Sequence, residues 1–202
     1  MAFMNREMRA YYDDRAAEYD DWWLGTGLFA DRDRPGWAEE VEQLIALIRA
    51  LPPARTLDIG CGTGFLTRHL PGQVVGVDQS KRMLDAARRA RPGLQVVQSD
   101  ASSLPFPDDE FDRVFTSHVY GHLLPQQRER FLSEARRVGR SLVVVDTSQR
   151  TSSKSEEWQE RRLNDGTTHR IYKRFFTGPG LAQELGDGTV VHEGRWFVVV
   201  TS

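Results

Sequence analysis

Three glycines follow a short apolar run at alternate positions, and their spacing suits a loop that holds a ligand. Residues 56–59 have the character of a strand, and Gly60, Gly62 and Gly64 come directly after them. Glycine permits a sharp turn and lets a ligand approach main-chain N–H groups without a side chain between them. Asp58 adds a carboxylate near the end of the same run. A tight turn that binds nothing is the alternative, although three glycines exceed what a turn requires.

Acidic residues also follow the next two strand-like runs. Asp78 comes after the apolar residues 74–77, and Asp100 comes shortly after residues 95–98. The carboxyl ends of parallel strands meet at one edge of a sheet, so both carboxylates are expected near the glycine loop. An acid about 20 residues beyond the first strand is placed to accept hydrogen bonds from two ribose hydroxyls. Asp100 has a simpler alternative, because aspartate favours turns and could cap one.

Two histidines lie beyond the fourth strand-like run, within Ser-His-Val-Tyr-Gly-His at 117–122. His118 and His122 are four residues apart and would share one face of a helical turn. Imidazole titrates near neutral pH, so either histidine could deprotonate a hydroxyl or orient an acid, and both are catalytic candidates. A structural role in the turn is an equal alternative for each. No metal site is predicted, because no third ligand stands at a characteristic spacing.

These groups need a sheet to position them, and the apolar pattern from residue 55 onward predicts one. Strand-like runs alternate with amphipathic segments, which predicts a doubly wound α/β fold with a mostly parallel seven-stranded sheet. Residues 189–192 and 196–201 are separated by only three residues, so they should be antiparallel neighbours, with an antiparallel terminal strand. The other predicted strands are 56–59, 74–77, 95–98, 113–116 and 142–145, and the predicted helices are 37–51, 63–70, 81–91 and 126–138.

Two segments depart from this alternation within what we predict to be a single domain, residues 1–202. Residues 1–36 carry aromatic side chains in a helical pattern, which predicts an N-terminal helical flap. Tyr11, Arg15 and Tyr19 recur there every four residues, so one helical face could present all three. Residues 148–176 begin with a polar stretch and are predicted to form an excursion from the sheet.

Four motifs in the body of the chain are typical of one enzyme family. They are D-I-G-C-G-T-G at 58–64, V-V-G-V-D-Q-S at 74–80, S-D-A-S-S-L-P-F at 99–106 and F-D-R-V-F-T-S at 111–117. With these motifs the sequence resembles the class I S-adenosylmethionine (SAM)-dependent methyltransferases over roughly residues 55–146. The resemblance implies a Rossmann-like methyltransferase fold, S-adenosyl-L-methionine as cofactor and S-adenosyl-L-homocysteine (SAH) as product.

The resemblance also implies a set of SAM-binding residues. Asp78 would hold the ribose, and Asp100 with the backbone of Ala101 would contact the adenine edge. Met83 lies at helical spacing with Leu84, so core packing is an equal alternative for it. The full implied set is Asp58, Gly60, Gly62, Asp78, Gln79, Met83, Asp100, Ala101 and Ser117, joined by Tyr11, Arg15 and Tyr19 from the flap.

A nicotinamide-dependent dehydrogenase is the main alternative, because it would use the same loop and the same ribose acid. Its fingerprint needs glycines spaced G-x-G-x-x-G, which from Gly60 places the third glycine at position 65. That position is Phe65, and the third glycine is Gly64. Together with the motif at Asp100, this difference favours the methyltransferase.

The methyl acceptor is predicted to lie between the histidine turn and the cationic part of the excursion. If residues 168–176 form a strand, alternate side chains point to opposite faces, and one face could supply cations to a carboxylate, phosphate or phosphonate. Tyr120, Arg170 and Lys173 are the predicted acceptor-binding residues. The layout is similar to small-acid and phosphonate O-methyltransferases, which implies a small-molecule acceptor methylated on oxygen. Solvated surface charge is the alternative for any single arginine or lysine here.

The composition restricts the remaining classes of function. The chain of 202 residues has 27 basic and 29 acidic side chains, a net charge of -2, so no global field attracts nucleic acid. We find no signal peptide or membrane-spanning run, and we expect a cytoplasmic monomer or homodimer without a membrane partner. The single cysteine, Cys61, excludes an internal disulfide. An RNA or protein methyltransferase and a non-catalytic SAM-binding protein are the open alternatives.

Overall fold

A computed structural model of the protein describes residues 6–202, so the first five residues of the flap predicted at 1–36 lie outside the described residues. The strands are β1 Ala54–Ile59, β2 Gly72–Asp78, β3 Gln95–Gln98, β4 Arg113–Ser117, β5 Leu142–Thr147, β6 Glu156–Arg162, β7 Thr168–Arg174, β8 Thr189–Glu193 and β9 Phe197–Thr201. Seven of them form one sheet in the order β3-β2-β1-β4-β5-β9-β8. Strands β6 and β7 form a separate two-stranded sheet.

The pairing of the large sheet confirms the predicted doubly wound α/β fold. Strands β1 to β5 are parallel, and Asp58 of β1 pairs in register with Gly76 of β2 and Phe115 of β4. Strand β9 runs antiparallel to both β5 and β8, as the short link between the last two strands predicted. The strand order reverses between β1 and β4, and in such sheets ligands bind beyond the carboxyl ends of the strands at this switch point.

Helices cover both faces of the large sheet. The helices are α1 Arg6–Arg15, α2 Asp21–Leu24, α3 Trp37–Arg49, α4 Lys81–Ala90, α5 Pro125–Val138 and α6 Gly178–Glu184. Phe131 of α5 and Leu181 of α6 belong to a core cluster with Val144 of β5, whereas Leu44 of α3 packs in a second cluster with Val143. Because neighbouring residues of β5 enter different clusters, the strand is apolar on both faces, which explains its run of valines.

The structure departs from the predicted elements directly after the glycine loop. The pattern predicts a helix over residues 63–70, but this segment contains only a single 3₁₀ turn, Thr67–His69. Gly64 has a φ of 83°, outside the helical region, and Pro71 limits the segment on its other side. Too few residues remain between them for a stable α-helix.

The excursion contains one strand that the sequence pattern predicts and one that it does not, and an unpredicted helix follows it. Strand β7 confirms the strand expected at 168–176, and β6 pairs with it in antiparallel register. Strand β6 has the sequence Glu-Glu-Trp-Gln-Glu-Arg-Arg, which has almost no apolar signal. Helix α6 begins Gly-Pro-Gly, which has weak helical propensity, and the Thr177 hydroxyl caps it by accepting from the N–H of Gly180.

The N-terminal segment packs across the β6–β7 hairpin. Its helical pattern is interrupted, because α1 ends at Arg15 and α2 begins only at Asp21. Met8 and Tyr11 of α1 form a small apolar cluster with Leu163. This arrangement places the flap and the hairpin together beside the carboxyl edge of the large sheet.

Candidate active site

The glycine loop turns at the carboxyl end of β1, beside the switch point. Gly60 has a φ of 76°, and a Cβ at this position would collide with a methyl group of Val119. Gly62 has a φ of 55°, which also favours glycine. The N–H groups of Gly60 and Cys61 donate to the carbonyl oxygen of Val77 at 2.7 and 3.0 Å. The loop is therefore hydrogen-bonded to β2, and its backbone at Gly60 packs closely against the Val119 side chain.

Asp78 ends β2 and faces the loop. Its carboxylate accepts hydrogen bonds from the N–H of Gly62 at 3.0 Å and from the N–H of Ser80 at 2.8 Å. Burial raises the pKa of Asp78 to about 6, although the two hydrogen bonds favour the charged form. This carboxylate organises the loop and can still accept from a ligand.

A cavity of about 600 Å³, the donor cavity, opens at this edge of the sheet. It is lined by Tyr12, Tyr19, Ile59, Gly60, Gly62, Val77, Asp78, Gln79, Ser99, Asp100, Ala101, Ser117, His118, Val119 and His122. Most residues that the resemblance implies for SAM binding are therefore brought together here. The Asp100 carboxylate stabilises the turn that follows it, because it accepts hydrogen bonds from the N–H and the hydroxyl of Ser102 at 2.9 and 2.8 Å.

Polar atoms of three residues in the donor cavity are buried without a partner. Among residues 6–202, Gln79 Nε2, Ser117 Oγ and His118 Nε2 are buried and make no hydrogen bond. Buried polar atoms are rarely left unpaired in native proteins, so these atoms indicate a ligand with complementary groups.

A second cavity of about 950 Å³, the acceptor cavity, adjoins the first and shares Tyr12, Tyr19, His118 and His122 with it. Its remaining wall comes from the N-terminal segment, the end of β5 and the β6–β7 hairpin. The charged side chains that line it are Arg15, Arg32, Arg34, Arg161, Lys173 and Asp33. Lys173 is paired with the buried carboxylate of Asp146, so the remaining charges are four arginines and Asp33, which make this cavity positive and favour an anionic ligand.

His118 stands between the two cavities with its ring buried. Its φ of 55° lies in the left-handed region, which is uncommon for a residue other than glycine. Nδ1 lies 3.4 Å from the Thr147 hydroxyl and 3.9 Å from Asp146 Oδ1, while Nε2 belongs to the unpartnered atoms. Burial lowers the pKa of His118 to about 3, with further lowering by Lys173 and Arg161. The ring is therefore neutral in the free protein.

His122 lines both cavities with a defined tautomer. Its Nδ1 lies 2.7 Å from the carbonyl oxygen of Tyr172. A carbonyl oxygen only accepts, so Nδ1 carries the proton and Nε2 keeps its lone pair in the neutral ring. Burial lowers the pKa of His122 below its usual value, and Lys173 adds to this effect.

Comparison with known proteins identifies the family. The model of the methyltransferase domain family matches residues 57–161 of the chain. The chain belongs to the class I SAM-dependent methyltransferases. SAM is the methyl donor of this family. The donor cavity fits SAM, because the Asp78 carboxylate can accept hydrogen bonds there and the buried Gln79 amide nitrogen and Ser117 hydroxyl have no partner within residues 6–202.

Individual relatives agree with this assignment. The methyltransferase is 31% identical over 151 residues to demethylmenaquinone methyltransferase of Renibacterium salmoninarum, covering 72% of this chain and 60% of the relative. It is 34% identical over 131 residues to fatty-acid O-methyltransferase of Mycolicibacterium smegmatis, covering 59% and 46%. The chain spans about half the length of the curated relatives that it matches. The solved complex of DhpI with SAM and HEP has a TM-score of 0.78 at 25% identity, covering 98% of each chain.

Residues 6–202 contain no group of three or more His, Cys, Asp or Glu side chains arranged to hold a metal ion. No helix in the same range has both the length and the apolar character needed to cross a bilayer.

Two of the implied SAM-binding residues, Asp58 and Met83, do not line the donor cavity, although Asp58 lines a small cavity beside it with Gly60 and Ser117. Asp58 is 2% exposed and accepts a hydrogen bond from the Thr67 hydroxyl at 2.6 Å, and burial raises its pKa to about 7. Met83 is fully buried on α4, at the helical spacing that favours core packing. Direct contact with SAM does not fit the buried position of Met83, and for Asp58 it stays a prediction. Asp58 connects the end of β1 to the turn that follows the loop.

The flap residues separate into different roles because α1 ends at Arg15. Tyr19 lies in the following turn and lines both cavities. Arg15 lines the acceptor cavity and not the donor cavity, so a contact with SAM does not fit it. Tyr11 reaches neither cavity, and its hydroxyl accepts from Arg15 Nη1 at 2.6 Å. Tyr11 therefore positions Arg15 rather than binding a ligand.

Two of the predicted acceptor-binding residues lie outside the acceptor cavity. Tyr120 is 1% exposed in the core, and its hydroxyl lies 3.2 Å from a Glu184 carboxylate oxygen. Arg170 is exposed, with its guanidinium 5.1 Å from the centre of the Trp158 ring. Alternation along β7 places Arg170 and Lys173 on opposite faces, so only Lys173 lines the cavity. The acceptor-binding roles predicted for Tyr120 and Arg170 do not fit these positions.

The sequence pattern did not select Arg161 and Asp146, which the structure brings to the acceptor cavity or its edge. Arg161 pairs across the hairpin with His169, on the same face as Lys173. The sequence pattern alone could not place Arg161 on this face, because its position depends on the register in which β6 pairs with β7. Asp146 lies near the end of β5, as Asp58 and Asp78 lie at the ends of β1 and β2, so the same strand-end signal was available for it.

Proposed function

We propose that this methyltransferase transfers the methyl group of SAM to an anionic oxygen of a small acid and so forms a methyl ester. The observation that carries the proposal is the cationic acceptor cavity, which adjoins the donor cavity and shares His118 and His122 with it. An acid in this cavity would have its charge among guanidinium groups and its reacting oxygen directed toward the donor.

None of the four arginines that line the acceptor cavity has a carboxylate partner within residues 6–202, and neighbouring groups fix two of them in place. Arg15 is 5% exposed, donates to the Tyr11 hydroxyl and lies 5.0 Å from the centre of the Tyr19 ring. Arg161 donates through Nε and Nη2 to the amide oxygen of Gln159 at 3.0 and 2.6 Å. Guanidinium groups held at a cavity without a counter-charge support anion binding, because an acidic ligand would supply that charge.

The state of the histidines favours an acid over an alcohol as the acceptor. Because burial lowers the pKa of both His118 and His122, neither ring is a strong enough base to deprotonate an alcohol. The oxygen of an ionised acid already carries the charge that the displacement needs. The reaction balances without a base, since the sulfonium becomes the neutral thioether of SAH and the acceptor oxygen loses one negative charge.

The relatives support the same reading. The fatty-acid O-methyltransferase is named for O-methylation of an acid, and the DhpI complex contains SAM together with HEP. DhpI is similar to this chain over almost its entire length, including the segments that form the acceptor cavity.

A methyl-transfer screen tests the proposed function. Purified protein and SAM are incubated with carboxylic acids, phosphonic acids and phosphate monoesters, and with alcohols, phenols and amines of matched size as controls. We expect SAH to form only with the acids. Turnover confined to alcohols or amines would contradict the proposal, and tight SAM binding without turnover on any class would indicate a non-catalytic SAM-binding protein.

For the donor cavity, we propose that the Asp78 carboxylate accepts hydrogen bonds from the ribose hydroxyls. Asp100 and the Ala101 backbone would contact the adenine edge, and the Gln79 amide would pair with the same end of the cofactor. This assignment is supported by the position of all four residues in the cavity wall and by the unpartnered Gln79 Nε2.

SAM binding is expected to weaken below about pH 6. The pKa of Asp78 is about 6 in the free protein, and only its charged form accepts through both oxygens. Affinity should be constant above this pKa and fall by up to about tenfold per pH unit below it, since the proton competes with the ligand. Calorimetric titration from pH 5 to pH 8 measures this, and Asp78→Asn should flatten the profile. A flat profile in the unsubstituted protein would argue against the ribose role.

A further inference from the structure

Asp146 is a fully buried carboxylate at the meeting point of three segments that surround the acceptor cavity. Its oxygens accept from the Gly121 N–H at 2.7 Å, the Thr147 N–H at 2.7 Å and the Lys173 ammonium at 2.6 Å. A carboxylate offers about four acceptor positions, so three are filled within the protein. The remaining neighbour is His118 Nδ1, 3.9 Å from Asp146 Oδ1.

His118 lines both cavities, and its surroundings fix the orientation of its ring. The ring is packed against Trp22, Trp23 and Phe197, with ring centres 4.8, 5.4 and 5.7 Å away, so its orientation is set by packing. The backbone is held in the left-handed region, where its N–H donates to the Val145 carbonyl oxygen at 2.9 Å. Strained residues of this kind concentrate at functional sites. Nδ1 lies 3.4 Å from the Thr147 hydroxyl and 3.9 Å from Asp146 Oδ1, and the buried Nε2 on the other side of the ring has no partner among the described residues.

We propose that Asp146 is a positioning residue for the acceptor: it holds His118 so that the ring can carry a proton between the buried carboxylate and the anionic oxygen of the acid. The inference rests on the proposed function, because it needs an anion in the acceptor cavity. On binding, one proton from solvent joins the ring, Nδ1–H donates to Asp146, and Nε2–H donates to the acceptor oxygen that does not react. Methyl transfer then removes one negative charge from the acceptor, and the proton returns to solvent as the ester leaves.

Burial is the main cause of the neutral state of the free His118 ring, and the charges around the ring act in addition to it. Lys173 of β7, Arg161 of β6 and Arg15 of α1 oppose a proton on it, and only Asp146 of β5 favours one. Because Lys173 is paired with Asp146, the uncompensated opposition comes from the two arginines. An anion beside them cancels this opposition and adds a second acceptor for the imidazolium.

Nuclear magnetic resonance of ring-¹⁵N histidine tests the proposal with sodium sulfate as the probe, since sulfate does not titrate in the range used. The protein is studied as its SAH complex, against sodium chloride of equal ionic strength, and His118→Gln assigns the signals. At pH 6 we expect the protonated fraction of His118 to rise from about 0.1% in chloride, given its pKa of about 3, to more than half in sulfate. In Asp146→Asn, sulfate should still bind while the ring stays neutral.

Asp146→Asn leaves the Lys173 ammonium without its partner. The second test is therefore a double variant that removes both charges of this ion pair, Asp146→Asn with Lys173→Met. It too should bind sulfate without protonating His118, whereas Asp85→Asn on α4 should behave as the unsubstituted protein. Sulfate binding that is detected by calorimetry but leaves His118 neutral in the unsubstituted protein would overturn the role of Asp146 and leave the proposed function intact. Absence of sulfate binding at high millimolar concentration would remove the anion site on which both proposals depend.

Discussion

Replacing Asp78 by alanine is expected to weaken SAM binding by about 100-fold to 10,000-fold. A hydrogen bond to a charged group contributes about 1.5–3 kcal/mol, and two such bonds to the ribose would be lost together. Each 1.4 kcal/mol corresponds to about a factor of ten in the dissociation constant. The carboxylate also accepts from the N–H groups of Gly62 and Ser80, so its loss frees the glycine loop as well. Calorimetry with SAM measures the effect directly.

Two controls accompany this prediction. Asp78→Asn keeps one acceptor oxygen and should give an intermediate loss of affinity. Asp85→Ala removes a carboxylate from α4 that pairs with Arg88 at 2.8 Å outside both cavities, so it should leave SAM binding unchanged. Thermal unfolding without SAM shows whether each variant is folded. Equal SAM affinity in Asp78→Ala and in the unsubstituted protein would exclude the ribose contact.

Replacing Arg161 by glutamine is expected to raise the KM for the acid acceptor by about 10-fold to 100-fold, with little change in SAM affinity. Glutamine keeps a polar side chain but removes the cation, and the hydrogen bonds of a guanidinium to an anion contribute about 1.5–3 kcal/mol. Arg161 is a better test than Lys173, because Lys173 is buried against Asp146 and its removal would leave that carboxylate unpaired. Steady-state kinetics with the best acid from the screen measures the change.

Arg170→Gln is the matched control, since it makes the same chemical change in the neighbouring strand of the hairpin. Arg170 lies over the exposed Trp158 ring and outside the cavity, so its KM should equal that of the unsubstituted protein. An equal increase in both variants would mean that the effect comes from the net charge of the hairpin. No increase in Arg161→Gln would show that the acceptor anion is held elsewhere.

The donor cavity was largely predictable because its parts are local in the chain. Asp78 and Asp100 each follow an apolar run, and the parallel sheet that such runs form brings strand ends to one edge. Gly60 marks the turn that must follow the first strand. Asp58 does not line the donor cavity, since it lies one residue before the end of β1 and its carboxylate accepts from the Thr67 hydroxyl. Successive side chains of a strand point to opposite faces of the sheet, so a shift of one residue decides whether a residue near the strand end faces a ligand or the core.

The acceptor cavity was much less predictable because its walls come from segments far apart in the chain. Arg15 and Arg161 belong to α1 and β6, and their proximity depends on how the flap and the hairpin pack. Strand β6 has almost no apolar pattern, and its strand conformation depends on pairing with β7. Arg170 and Lys173 were both assigned to the acceptor from one cationic run, although alternation allows only one of them to face it.

The sequence by itself determined the doubly wound fold, the reversed terminal strand and the glycine loop with its acid at Asp78, because these follow from apolar periodicity and from conformations that only glycine adopts easily. Tertiary structure alone decided which cations surround the acceptor, that Tyr120 belongs to the core, and that His118 stands between Asp146 and the cavities. The physical reason is that the burial and the electrostatic environment of a residue depend on all the residues around it. Tertiary packing, and not the order of residues in the chain, determines which residues those are.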